Sequence, residues 1–249
     1  MKRAEFLSLL DGWLEPARFN DVAENGLQVE GRPEVRRIVC GVSANLALID
    51  AAIERGADTI VVHHGLVWGG IRRLDGWLLQ RVRRLVEREI NLFAYHLPLD
   101  AQPLFGNNAG LAHALGIVQT TPFGRYKGQV IGLQGSLSPP GTLPTLTDRV
   151  NEAVGTPVAV FGDARRELLR VGVCTGGAPE MLHEAIASGL DAYVTGEVTE
   201  WVKAVAEESG TCFIAAGHHA TERFGPRGLA AELQRAGLEA EFVDVENPV

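Results

Sequence analysis

Val61-Val62-His63-His64-Gly65 decides how the rest of this chain is read: an apolar run that stops on two adjacent histidines and a glycine. Such a run is the C-terminal end of a buried strand, and open α/β sheets gather their ligand-binding groups at those carboxyl edges. Neighbouring side chains in a strand point to opposite faces, so His63 and His64 converge only where the chain leaves the extended conformation. Gly65 is expected to permit that departure. An isolated His-His is equally an ordinary strand end, one ring buried and one wet. What separates the two readings lies elsewhere in the chain.

Around this stretch the pattern is regular. Arg36 to Val42 reads as a buried strand, Leu46 to Arg55 as a helix ended by Gly56, and Thr59 to His63 as the next strand. This is a strand-helix-strand unit of the parallel-sheet type. Upstream, Phe6, Leu9, Leu10, Trp13 and Leu14 follow helical spacing, Pro16 closes that helix, and Asn25-Gly26 marks a turn. Downstream, Trp68-Gly69-Gly70 is a bend. Asn91 to Tyr95 is a strand that runs into His96-Leu97-Pro98-Leu99-Asp100, and Gly106-Asn107-Asn108 offers an N-cap for a helix over 109–115. Tyr126 to Leu133 reads as a strand and Ser136 to Leu143 as a loop.

The second half repeats the first. Arg37 to Gly65 aligns without a gap on Arg170 to Val198, at a constant shift of 133; Ala52, Ile53, Gly56, Asp58 and Val61 meet Ala185, Ile186, Gly189, Asp191 and Val194. Shared patterning of buried elements is the competing cause, but ungapped agreement that includes the helix-ending glycine and the following aspartate favours duplication. The fold class expected is α/β, two similar halves of duplicated strand-helix-strand units with joined mixed sheets. Residues 1–124 plus 217–249 would form the first half and 125–216 the second. In this alignment Glu197 falls opposite His64. A carboxylate there either serves the site or caps a helix starting near Thr199.

Composition limits the partners. The net charge is -8, which argues against a general nucleic-acid binder. Arg81, Arg83, Arg84 and Arg88 share a helix with Leu78, Val82 and Leu85 and read as its solvated face. Cys40, Cys174 and Cys212 are odd in number, widely separated and set in apolar runs, as reduced core thiols are. With no signal-peptide pattern and no run of membrane-spanning length, a cytoplasmic location is expected.

The polar groups then collect at strand ends. After the strand Thr211 to Ala216 comes Gly217-His218-His219-Ala220-Thr221-Glu222, where one helical turn would put His218 and Glu222 on the same face. Pro226 breaks that turn. Five of the seven histidines, at 63, 64, 96, 218 and 219, thus fall in three places, each following a β-like run, with Asp100 and Glu222 beside them. Imidazoles and carboxylates without thiolate suit zinc, iron, manganese or nickel, whereas an oxygen-only magnesium or calcium site would not use the histidines. So many candidates exceed what one tetrahedral zinc takes. Two ions sharing a bridging carboxylate or water would use them all.

His63-His64-Gly65, His96-Leu97-Pro98-Leu99-Asp100, Gly106-Asn107-Asn108-Ala109, Thr195-Gly196-Glu197 and Gly217-His218-His219-Ala220-Thr221-Glu222 resemble the Nif-three-like dinuclear metal-binding family, often labelled GTP cyclohydrolase I type 2. The resemblance spans nearly the whole chain. Asn25-Gly26-Leu27-Gln28-Val29 is similar to that family's early Asn-x-Gly-Leu-Gln element with one residue missing, and a long insertion between the halves is absent, so the chain resembles the short bacterial form. The resemblance implies two divalent metal ions per chain on His63, His64, Asp100, His218 and Glu222, and a toroidal homohexamer. His96 and His219 would lie behind or beside the metals in proton transfer, with Glu197 a third catalytic candidate.

The family label leaves the reaction open. There is no Walker-type phosphate loop, and phosphate would have to be met by metal, by Arg72 or Arg73, or by a backbone nest. The first expectation is a hydrolase that activates water on a nucleotide-like or phosphorylated small molecule, the GTP cyclohydrolase type included. The alternative is a metal-binding carrier or regulator without turnover.

Overall fold

The computed structural model describes residues 1–71 and 73–249, so Arg72 lies outside the described residues. Two compact units divide the chain, Met1–Gly106 with Gly225–Glu246, and Asn107–Phe224 with Asn247–Val249. The first contains α1 (Arg3–Leu14), β1 (Gly26–Val29), β2 (Arg37–Ser43), α2 (Leu46–Glu54), β3 (Thr59–His64), α3 (Gly76–Glu87), β4 (Asn91–Ala94) and α4 (Leu97–Ala101). The second runs through α5 (Asn107–Ala114), β5 (Ile117–Tyr126), β6 (Gln129–Thr142), α6 (Leu143–Val154), β7 (Ala159–Phe161), β8 (Glu167–Cys174), α7 (Leu182–Ala187), β9 (Ala192–Thr195), α8 (Val202–Ser209), β10 (Cys212–Ala215) and α9 (His218–Thr221). The chain then returns to the first unit along α10 (Phe224–Arg235) and β11 (Glu239–Phe242).

Hydrogen bonding forms two mixed sheets, one in each unit. In the first, the order is β1-β4-β3-β2-β11, parallel except for β1. Strands covered on both faces read as unbroken apolar runs. Ile38, Cys40, Val61 and Phe93 pack with Phe6 and Leu10 of α1 and Leu229 and Leu233 of α10, while Val39, Ile60, Val62 and Leu92 pack with Leu48 and Ile49 of α2 and Leu85 of α3. In the second sheet, β5-β6-β8-β9-β10-β7, the strands β8, β9 and β10 are parallel and the others antiparallel.

The internal repeat is reproduced bond by bond. Gly56 and Gly189 end their helices in the left-handed region, at φ 67° and 65°, each donating to a carbonyl three residues back, Ile53 and Ile186. The aspartate that follows does the same work in both units. Asp58 accepts from the N–H groups of Arg36 and Arg37, and Asp191 from those of Leu169 and Arg170, so one carboxylate anchors the start of β2 and the other the first half of β8. The shift of 133 therefore has a physical content: a helix stop and a strand clamp used twice.

Several boundaries differ from the sequence reading. β5 and β6 form a long hairpin where the sequence indicated only a strand over 126–133 and a loop over 136–143; β6 reaches Thr142 through a register shift between Ser136 and Gly141. Pairing of β5 with β6 carries residues 107–124 into the second unit. Residues 217–224 go there too, since α9 follows directly from β10 and Gly217 donates to the Gly196 carbonyl. α5 starts at Asn107, and Asn108 does not cap it: its buried amide donates to the Ile131 carbonyl and accepts from the Thr175 N–H. Cys40, Cys174 and Cys212 are buried and form no disulfide, and burial pushes the Cys40 thiol up to about 12. Among the described residues no helix is long and apolar enough to cross a membrane.

Candidate metal centre

In the first unit three imidazoles meet at the carboxyl ends of β3 and β4. His63, His64 and His96 each offer a ligand atom, and these atoms lie within 4.8 Å of one another. The rings of His63 and His64 stand 4.5 Å apart and tilted, although adjacent strand residues start from opposite faces. Each ring is held by its Nδ1. That atom of His63 is 3.1 Å from the Tyr95 carbonyl, that of His64 3.1 Å from Ser43 Oγ, and that of His96 2.8 Å from Asp21 Oδ1. Asp100, buried on α4, brings Oδ1 to 3.6 Å from His63 Nε2. That is too long for a good hydrogen bond. It does fit a shared ion, because two atoms each about 2.1 Å from a tetrahedral centre stand roughly 3.4 Å apart.

Gly65 serves the site by its size. Its φ lies outside the left-handed region, which corrects the expectation that a glycine is needed there to turn the backbone. A Cβ at this position would overlap Gln28 Oε1 and come within 2.6 Å of the Ala94 Cβ. Gln28 Oε1 accepts from the N–H groups of Leu66 and Val67 at 2.6 and 3.2 Å, strapping down the segment that leaves the histidines. Trp68 continues the strap: its Nε1–H donates to the Gly65 carbonyl at 3.1 Å, and its ring packs edge-on against His96.

The second unit contributes a histidine between two carboxylates. His218 Nδ1 is 2.6 Å from Glu197 Oε1, and its Nε2 is 3.2 Å from Glu222 Oε1. Helical spacing in α9 pairs His218 with the buried Glu222. Glu197 lies at the end of β9 and binds this ring, while α8 begins only at Val202, so the helix-capping alternative is not the contact formed. Burial, the largest single influence, pulls the His218 pKa down, but the hydrogen bonds and charges of Glu222 and Glu197 outweigh it and lift the imidazole to about 9. A metal ion at Nε2 therefore competes with a tightly held proton. Gly176, at φ 71°, forms the floor: a Cβ there would overlap Glu222 Oε1 and reach within 3.4 Å of His218 Nε2. His219 is buried in the same turn, its backbone N–H donating to the Val249 carbonyl, and among the described residues it joins none of the metal-compatible groupings.

Asp21, Gln28, Trp68, Asn108 and the Thr175-Gly176-Gly177 stretch surround the two candidate groupings without having been singled out for that from the sequence. Gln28 did belong to the Asn-Gly-Leu-Gln element, and its amide now explains that element. Asp21 carried no local signal beyond standing four residues before Asn25.

The fold and site define a mixed α/β protein whose strand ends gather imidazoles and carboxylates that could hold a metal ion, with the rings of His63, His64, His96 and His218 each fixed through Nδ1. Residues 1–248 match the family described as Duf34/NIF3 (NGG1p interacting factor 3), and the chain belongs to that family. A Pseudomonas aeruginosa protein called GTP cyclohydrolase 1 type 2 homolog is 46% identical over 241 residues, covering 96% of this chain and 95% of that protein. A Neisseria meningitidis serogroup A protein of the same name is 43% identical, with 99% and 98% covered. Among solved structures, a protein ybgI described as of unknown function superposes with a TM-score of 0.94 at 40% identity, with both chains fully covered. TTHA1606 from Thermus thermophilus does so at 0.90 and 36% identity, again with full coverage of both chains.

Proposed function

We propose that the chain is a metal-dependent hydrolase that activates water on a nucleotide-like or phosphorylated small molecule, of the GTP cyclohydrolase type. Two divalent ions per chain are proposed, zinc, iron, manganese or nickel, with His63, His64 and Asp100 of the first unit and His218 and Glu222 of the second as ligands. A cytoplasmic homohexamer completes the reading. What carries it is the engagement of Nδ1 in His63, His64, His96 and His218 by a carbonyl, a hydroxyl and two carboxylates. Imidazoles tethered in this way present Nε2 in a fixed direction, as metal-binding histidines do and solvated surface histidines have no need to do.

A bound divalent ion supplies Lewis-acid polarisation and lowers the pKa of water. The chain's own groups do the rest. Tyr95, Ser43 and Glu197 orient the rings through Nδ1, and Asp100 and Glu222 balance cationic charge in buried positions. His96, Glu197 and His219 are the candidates to hold or move a proton. The names of the relatives point to the same chemistry.

The test is turnover. Protein reconstituted separately with zinc, iron, manganese and nickel is screened against GTP, the other nucleoside triphosphates and simple phosphomonoesters. Metal-dependent turnover of one class, abolished by His64→Ala, is the expected result. Tight metal uptake without turnover of any of them, together with transfer of the ion to an acceptor protein, would replace this reading with that of a carrier.

A further inference from the structure

A carboxylate in the segment before β1 fixes the third histidine of the first unit. The Asp21 side chain is 2% exposed and meets four donors. Its Oδ1 lies 2.8 Å from His96 Nδ1 and 3.1 Å from the Ala23 N–H; its Oδ2 lies 2.9 Å from the Leu97 N–H and 3.2 Å from Asn25 Nδ2. Asn25 Oδ1 accepts in turn from the backbone N–H of His96 at 2.8 Å. An ionised carboxylate is an acceptor only, so the hydrogen between Asp21 and His96 belongs to the imidazole Nδ1. In the neutral form of a ring so bonded the lone pair is on Nε2. Rotation of the ring is blocked as well, since Trp68 packs edge-on at 5.1 Å and the rings of His63 and His64 lie at 5.0 and 5.7 Å.

We propose that Asp21 is a positioning residue that locks His96 in the Nδ1–H tautomer, so that Nε2 stands beside His63 and His64 with its lone pair directed into the grouping they form. The proposal rests on the hydrolase reading of the site. A merely structural aspartate would be accounted for by the bonds to Ala23, Leu97 and Asn25. The bond to His96 is the one that selects a tautomer.

The measurement is a long-range proton–nitrogen correlation spectrum of the full chain labelled with [15N]histidine, recorded before and after zinc loading. In the unmodified chain His96 should show a protonated Nδ1 and an unprotonated Nε2. In Asp21→Asn the new amide opposes the fewest donors when its NH2 faces His96 Nδ1 and the Ala23 N–H. That orientation leaves Nδ1 as an acceptor, and the Nδ1–H population should fall roughly ten- to a hundredfold. An unmodified chain with the proton on Nε2 overturns the proposal, and so does a folded Asp21→Asn variant that keeps the Nδ1–H tautomer. If the variant does not fold, the spectrum of the unmodified chain decides. Zinc content measured on the same samples separates the two levels: an unmodified chain that takes up no zinc counts against the hydrolase reading, whereas the tautomer alone counts for or against Asp21.

Discussion

Gly65→Ala puts the packing behind the histidine pair to a quantitative test. The new methyl group overlaps Gln28 Oε1 and stands 2.6 Å from the Ala94 Cβ. If Gln28 withdraws, the N–H groups of Leu66 and Val67 lose their acceptor, at about 1–3 kcal/mol for a donor left buried. Ala94 closes β4 and has no side-chain rotation to give, so β3 and β4 must spread, an overpacking cost of about 1–3 kcal/mol. The variant should therefore lose about 2–6 kcal/mol. Urea unfolding of the metal-free chain should show a lower midpoint at an unchanged slope. Because His64 adjoins the altered residue, zinc affinity should weaken roughly tenfold or more. Gly12→Ala is the matched control: nothing lies within 4 Å of its new Cβ in the interior of α1, and it should stabilise by about 0.5–1 kcal/mol. A Gly65→Ala protein within about 0.5 kcal/mol of the unmodified chain would refute the packing argument.

Four further outcomes are expected. Glu197→Gln, which uncouples Nδ1 of His218, should keep its ions at saturating metal yet lose roughly ten- to a hundredfold in turnover; unchanged turnover would leave the contact without a role. His218 has a pKa of about 9 in the folded metal-free chain against an ordinary 6.5. Its contribution is thus fully present below pH 6.5 and disappears as pH rises through about 9, so metal-free protein should lose up to about 3 kcal/mol over that window relative to His218→Gln. The difference is read from urea midpoints of the two proteins at a series of pH values. Asp58→Ala and Asp191→Ala should each cost about 2 kcal/mol in urea unfolding, because the same strand clamp is removed in either unit. Light scattering at micromolar concentration should report a hexamer, and a stable monomer would contradict that assembly.

What the sequence made legible was whatever is encoded by short-range pattern. The apolar runs ending on histidine, the helix-ending Gly56 and Gly189, and the recurrent Asp58 and Asp191 are local signals, and each has a local structural cause. β5 was hidden because only Ile117, Phe123 and Gly124 are buried along it; Val118, Thr121 and Pro122 are exposed residues whose strand character comes from pairing with β6, and Gln119-Thr120 between them lies in a register shift. Asp21 was hidden for a different reason. A single aspartate in a polar segment has no periodicity, and its importance comes from a partner 75 residues away. Gly65 stands out in the sequence for conformational freedom, whereas the constraint is the side chain of Gln28, which only the folded chain brings there.

The strand-end groupings are proposed to hold two divalent ions. Elemental analysis of the purified full chain, followed by calorimetric titration of chelator-treated protein with zinc, counts them. Two ions per chain are predicted in the unmodified protein, with metal content reduced by His64→Ala and by Asp100→Ala while the circular dichroism spectrum is retained. Saturation at a single ion per chain would contradict the dinuclear account.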